Sequence, residues 1–376
     1  MNAPTDIIAF CKDWNEPKTS NNHVLEELAK QHRILWVNSI ATRNPNLASA
    51  NDLKKILRKI RSWFHGIQII HDHLRVLTPV VLPFPRSRLA QRFNRWITRA
   101  LVRRAARRWD FQHPQLWIFP PNAVDYVGQF NESKVVYYCV DEWSQFTHLN
   151  ADFIIQKERE LLAKANVVFV VAHKLLAAKR PLNSNTHLIP HGVNYDMFAA
   201  SPTVPADIAQ LPHPIIGFYG NLYDWVDQTL LAQIASARPQ WQLVLVGKIM
   251  TDIAQLRKPN IHILGQRQYE DLPAYCRGFD VGIIPYRTSD PRMQSINPLK
   301  LREYLAAGLP VVSVDIPEVR ALADLVLLAQ TGAEFVAQIE VALGRNSDRD
   351  REARRESVRA DSWTARVADI ERILAA

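Results

Sequence analysis

One stretch, SINPLKLREYLAAGLPVVSVDIPEV (295–319), constrains the fold of this chain more than any other. It reads as a loop, a short helix, a glycine stop and a buried strand. Asn297 suits the N-cap and Pro298 the first helical position. Leu299, Leu301, Tyr304 and Leu305 supply an apolar stripe at helical spacing. Gly308 stands where a left-handed residue ends a helix. VVSV then follows as the near-continuous apolar run of a parallel strand. A helix begun this way presents unbonded backbone N–H groups, which suit a phosphate. Lys300 and Glu303 fall within its first two turns. A cation and a carboxylate at the mouth of an anion site fit a nucleotide diphosphate, with the carboxylate on ribose hydroxyls.

The remainder alternates apolar strands with amphipathic helices, the pattern of an α/β protein. In the first half the expected strands are DIIAF, HRILWVN, LRVLTPV, QLWIFP, KVVYYCV, NVVFVVA and a short HLIPHGVN ending at Gly192. Helices are expected at NNHVLEELAKQ and over 151–165. The segment 194–213, with its prolines and no sustained period, reads as a linker. The pattern restarts with PIIGFYG, helix VDQTLLAQIASA, strands WQLVLVG and IHILG, helix YEDLPAYCRG, strand DVGIIPY and the helix of the opening motif. SWTARVADIERIL is an amphipathic terminal helix. The expected division is 1–193, a linker over 194–213, 214–360, and a C-terminal helix over 361–376.

PLKLREYLAAGLPVV resembles the nucleotide-sugar signature of family-four-like glycosyltransferases of the two-domain GT-B architecture, and IIGFYGNLYDWVD resembles the same enzymes. The resemblance covers the second half strongly and the first half loosely. It implies two Rossmann-like domains facing a cleft, with an acceptor-binding N-terminal domain, a donor-binding C-terminal domain, and the terminal helix packing back on the former. It implies transfer of a sugar from a nucleotide diphosphate sugar to an acceptor hydroxyl, with retention and without a metal or other cofactor. The expected acceptor is a lipid-linked or surface polysaccharide glycan. Two departures stand out. The family often carries two glutamates eight positions apart; Glu303 matches the second, but Ser295 stands at the first. The family's Arg–Lys pair after the first strand of this domain is missing from GNLYDW. Rival readings are a nucleotide-sugar epimerase of the same architecture, or a non-catalytic nucleotide-sugar-binding protein.

Three loops are expected at the carboxyl ends of the C-terminal strands, where open α/β sheets bind ligands. In GFYGNLYDW, Gly220 and Asn221 permit close backbone approach, with simple turn formation as the alternative. Lys248, closing VGK, either neutralises a diphosphate or is a solvated lysine. RTSDPRMQSIN leads through Ser295, Ile296 and Asn297 into the motif helix. In the N-terminal half, VVYYCVDEWSQF runs from a buried strand into an acidic loop. Asp141 there is a candidate base for the acceptor hydroxyl, or else a cap or surface acid. Asp13, ending the first strand, is a candidate on the same side; His23 reads as a helix-surface residue, and His191 as a hinge residue.

Charge is uneven. Residues 1–190 hold 27 Lys and Arg against 15 Asp and Glu, and the rest hold 19 against 22, consistent with a net charge of +9. KKILRKIRSWF (54–64) and PRSRLAQRFNRWITRALVRRAARRW (85–109) carry most of the excess, the second with no acid. Leu89, Phe93, Trp96, Ile97 and Leu101 recur among its arginines near helical spacing. Such a helix suits an anionic membrane surface, with Arg92, Arg95, Trp96, Arg99 and Arg103 as its face. The alternatives are a solvated helix packed on its own domain or a nucleic-acid contact; no nucleic-acid motif accompanies the charge. Cys11, Cys139 and Cys276 are widely spaced, so no metal or redox motif is expected. Neither a signal peptide nor a membrane-spanning run is expected, which points to the cytoplasm and the inner face of the membrane.

Overall fold

Strands that are apolar on both faces need helices on both sides of a parallel sheet, and this sequence builds two such sheets. The computed structural model describes residues 4–40, 66–79, 81–82, 87–146, 150–200 and 202–376. The basic stretch 54–64 lies outside the described residues. Two compact units form: Met1–Pro190 with Val367–Ala376, and His191–Arg366.

The first unit contains β1 (Asp6–Phe10), β2 (Arg33–Val37), β3 (Ile67–His71), β4 (Leu74–Leu77), β5 (Gln115–Ile118), β6 (Lys134–Cys139), β7 (Val167–Val170) and β8 (Thr186–Leu188). Their order is β3-β4-β2-β1-β5-β6-β7-β8. All described pairs are parallel except β3–β4, a hairpin at the edge. Phe10, Trp36, Trp117, Phe119, Tyr137, Tyr138 and Phe169 fill the core. β8 stops at Leu188, short of the expected Gly192. A Cβ on Gly192 would lie 2.8 Å from the Trp363 ring, so this glycine is needed for packing rather than for a strand.

The second unit contains β9 (Ile215–Tyr219), β10 (Gln242–Val246), β11 (Ile261–Gly265), β12 (Val281–Ile284), β13 (Val311–Val314) and β14 (Val326–Ala329). The order β11-β10-β9-β12-β13-β14 is wholly parallel and reverses between β9 and β12. That is the switch point at which doubly wound sheets open for ligands. Two glycines allow helix and sheet to meet there. A side chain on Gly217 of β9 would run into the Phe279 ring, and one on Gly282 of β12 would approach the Tyr304 ring to 2.8 Å.

The segment 194–213 is more structured than a linker. It holds short helices Tyr195–Ala199 and Ala206–Ala209, which bury Phe198 and Ile208 in the core of the second unit. The terminal helix Trp363–Ala375 buries Val367 and Ile370. Its last turns bind the first unit, where Glu371 pairs with His32 at 2.8 Å and Lys134 donates to the Leu374 carbonyl at 2.6 Å. No helix among the described residues is long and apolar enough to cross a membrane.

Candidate active site

The motif helix runs Leu299–Ala306. Its end follows from Gly308, at φ 80°. The Leu309 N–H donates to Tyr304 O and the Gly308 N–H to Leu305 O, both at 2.9 Å, the paired bonds of a Schellman stop. Its start differs from expectation. Pro298 is the flanking residue and Asn297 is not the cap. The buried Asn297 Oδ1 instead accepts from Arg302 Nη1 at 3.2 Å, because a buried guanidinium one turn on competes for it. Leu301, Tyr304 and Leu305 are fully buried, as the stripe required.

Glu303 is buried, and both of its oxygens are held. Tyr219, at the end of β9, donates to Oε2 at 2.7 Å, and Tyr269 donates to Oε1 at 3.0 Å. Burial pushes the carboxyl above its usual range, and the two phenols and Lys300 partly offset this. The Tyr219 N–H donates to Tyr304 Oη at 3.1 Å, so strand end and helix are tied twice. Lys300, in the first turn, stands 4.8 Å from the Phe218 ring centre and donates to Tyr286 Oη. Its Nζ lies 3.2 Å from where a Gly220 Cβ would be. Gly220 has φ 139°, and a larger residue would both strain the backbone and displace this ammonium.

The three expected loops do gather. The Gly220 N–H donates to Val246 O at 2.8 Å, and Asn221 Oδ1 accepts from the Lys248 N–H at 3.3 Å. The Arg287 N–H donates to Trp225 O at 2.8 Å. Lys248 contributes backbone to this arrangement while its side chain is exposed. Ser295 is buried and donates to Arg292 O at 3.3 Å, and the Ile296 N–H binds the same carbonyl at 3.1 Å. In GNLYDW, which lacks the Arg–Lys pair, Trp225 stacks on Tyr223 with centroids 4.0 Å apart. The Arg292 guanidinium lies 4.4 Å from the Trp225 ring and bonds Asp290 Oδ1 at 2.8 Å. Tyr219, Tyr269, Tyr286 and Arg292 were missed in the sequence. Tyr219 lay inside a recognised string, but nothing marks Tyr269, which comes from a separate loop.

In the first unit, Asp13 and Asp141 follow β1 and β6 at the carboxyl edge. Asp13 Oδ1 accepts from the Ser39 N–H at 2.9 Å and its hydroxyl at 2.7 Å, tying the loops after β1 and β2. Asp141 is half-buried, and burial, with Glu142 beside it, pushes its carboxyl up to about 7. His23 is buried in helix Ser20–Leu28 and not on its surface; burial pulls it down to about 3, with Lys18 and Lys12 adding. His191 is buried with its ring 6.1 Å from Trp363.

The basic helix spans Arg88–Arg108, and Ser87 Oγ accepts from the Ala90 N–H at its start. Its apolar residues are split between two faces. Ala90, Val102 and Ala105 pack inward, whereas Leu89, Phe93 and Trp96 are 77%, 39% and 57% exposed. The expected single stripe is therefore absent: Ile97 and Leu101 are half-buried and do not join the outward three. Arg92 is exposed. Arg99 donates to Gln129 Oε1 at 3.4 Å, Arg103 to Gln129 O at 2.9 Å, and Arg95 lies 3.7 Å from Asp125.

Two Rossmann-like units, the second with a helix start, a lysine and a buried glutamate at its switch point, define a GT-B protein. Residues 213–344 match the family of glycosyl transferases group 1. Over 275 residues the chain is 29% identical to the putative teichuronic acid biosynthesis glycosyltransferase TuaH of Bacillus subtilis (strain 168), covering 66% of this chain and 68% of that one. Its fold is similar to sucrose-phosphate synthase from Thermosynechococcus elongatus, with TM-score 0.71 and 16% identity over 100% and 98% of the two chains. It is similar also to HepE from Anabaena in complex with UDP-glucose, with TM-score 0.69 and 14% identity over 99% of each. Residues 213–344 therefore carry a glycosyl transferases group 1 domain.

Proposed function

We propose that this glycosyltransferase moves a sugar from a nucleotide diphosphate sugar to a hydroxyl of a growing, lipid-linked cell-surface or exopolysaccharide glycan, retaining the anomeric configuration and needing no metal. The observation that carries the reading is the Lys300 ammonium set against Gly220 in the first turn of a helix whose next turn holds Glu303. Backbone N–H groups and Lys300 take the charge of the departing diphosphate, the task that a cation clamp performs elsewhere. Gly220, Asn221, Ser295, Ile296 and Asn297 shape the backbone around it, and Lys248 adds charge at the rim. A carboxylate offers about four acceptor positions, so Glu303 can hold two tyrosines and still receive ribose hydroxyls. The bond from the sugar's anomeric carbon to the diphosphate breaks, a bond to the acceptor oxygen forms, and the acceptor's proton passes to Asp141. Asp13, fixed by Ser39, shapes the same edge of the first unit. The UDP-glucose in the HepE complex and the teichuronic acid assignment of the Bacillus relative support the donor and glycan classes. With UDP-glucose as probe, the expected result is UDP release that EDTA leaves unchanged. Release abolished by EDTA and restored by a divalent cation would refute the metal-independent route.

The acceptor side is further proposed to work at the inner face of an anionic membrane, with no nucleic acid involved. Arg92, Arg95, Arg99 and Arg103 sit beside the outward Leu89, Phe93 and Trp96, which joins positive charge to apolar groups able to enter the headgroup region. Each arginine near such a surface contributes about 1 kcal/mol, so changing all four to Gln is expected to weaken binding to phosphatidylglycerol vesicles by roughly a hundredfold or more. Retained vesicle binding in that variant would remove the membrane role.

A further inference from the structure

Behind the acidic loop after β6 lies a buried polar chain that the donor site does not use. Glu158, on helix Ala151–Lys164, and Lys179, on helix His173–Lys179, are each 5% exposed. Lys179 Nζ donates to Glu158 Oε2 at 2.7 Å and to Glu142 Oε2 at 2.9 Å. The other oxygen of Glu158 accepts from Tyr137 of β6 at 2.7 Å. Glu142 Oε1 accepts from Ser144 Oγ at 2.8 Å, and Cys139 Sγ donates to the Asp141 carbonyl at 3.4 Å. The lysine therefore bridges one carboxylate fixed in the core and one carried by the loop, immediately beside Asp141.

We propose that Lys179 is a positioning residue for transfer: by anchoring Glu142 to Glu158 it holds the loop 141–145 against the first unit, so that Asp141 meets the acceptor hydroxyl in one place. The proposal rests on the reading of Asp141 as the acceptor-facing acid. A buried charge pair is a poor source of net stability but a good source of a single geometry, since any other arrangement leaves a charge unpaired. Both halves of the bridge are needed. Glu158 keeps Lys179 charged and aimed, and Glu142 transmits its position to the loop.

The experiment uses the full chain with Lys179→Met, Lys179→Arg and Glu142→Ala. The last leaves the Lys179–Glu158 pair intact, so it keeps the core folded while cutting the loop's tether. Amide hydrogen exchange over residues 140–146 is expected to quicken at least tenfold in Lys179→Met and Glu142→Ala and to stay near wild type in Lys179→Arg. UDP release from UDP-glucose is expected to fall by about a hundredfold in kcat with KM unchanged, as for a misplaced catalytic group. Combining Glu142→Ala with Asp141→Asn should cost little more than Asp141→Asn alone, because the tether acts only through Asp141. Unchanged exchange in Glu142→Ala, or losses that multiply in the double variant, would overturn the proposal. Calorimetry with UDP separates the two readings. Wild type that binds no UDP defeats the donor assignment, and the exchange result then decides the tether alone.

Discussion

Lys179→Met is expected to destabilise the first unit by about 3–5 kcal/mol, the cost of leaving a buried charge without its partner. The substitution keeps most of the apolar stem but removes the ammonium and its hydrogen bonds, so Glu158 is left buried with only the Tyr137 hydroxyl at 2.7 Å and the weaker Cys139 thiol at 3.8 Å as donors. Burial disfavours the Lys179 ammonium, but Cys139, Glu158 and Glu142 together outweigh this and hold the lysine well above its ordinary range. For a unit of this size the loss corresponds to a fall in Tm of roughly 10 °C, measurable by scanning calorimetry. A change under about 1 kcal/mol, the level of an exposed pair, would show that the bridge carries no such load.

Asp141→Asn should make the protein more stable above neutral pH and much less active. The folded chain holds the Asp141 proton up to about 7, whereas the unfolded chain releases it near 3.8. The carboxyl's contribution is thus fully present below pH 3.8 and is lost as pH rises through 7, because the unfolded state then gives up its proton more readily. Denaturant unfolding should show wild-type stability falling across this window relative to the asparagine variant. Turnover runs the other way, since only the deprotonated group accepts the acceptor's proton; the rate should climb through about pH 7. Loss of a positioned base costs about 10²–10⁴-fold, and the variant should lose its rate by that factor along with the pH-dependent limb. Undiminished turnover in Asp141→Asn would remove Asp141 from the chemistry.

Strands and helices of the two sheets were largely readable from the sequence because each is a run whose period states its environment. β9, β12 and β13 are near-continuous apolar runs and are buried throughout, and Gly308 marks a stop that the φ of 80° then uses. β3 was not readable, since IQIIH at an edge alternates weakly and leaves Ile69 exposed. The linker hid two short helices because its prolines sit at their flanks while Phe198 and Ile208 are single buried anchors without a period. At the donor loops, Gly220, Lys300 and Glu303 stood in one recognisable string. Tyr269 comes from a loop 34 positions away and is joined to Glu303 only by the fold. The Lys179–Glu158–Glu142 bridge was equally silent, because charged residues in helices or in an acidic loop read as solvated until burial is known.

The most direct test of the donor site is a calorimetric titration of wild type and Lys300→Ala with UDP, GDP, ADP and dTDP. One nucleotide class should bind wild type, and Lys300→Ala should weaken that binding by about 10- to 100-fold, as expected for a hydrogen bond to a charged phosphate. Binding by none of the four, or binding that Lys300→Ala leaves intact, would contradict the assignment of this helix and its lysine to the donor diphosphate.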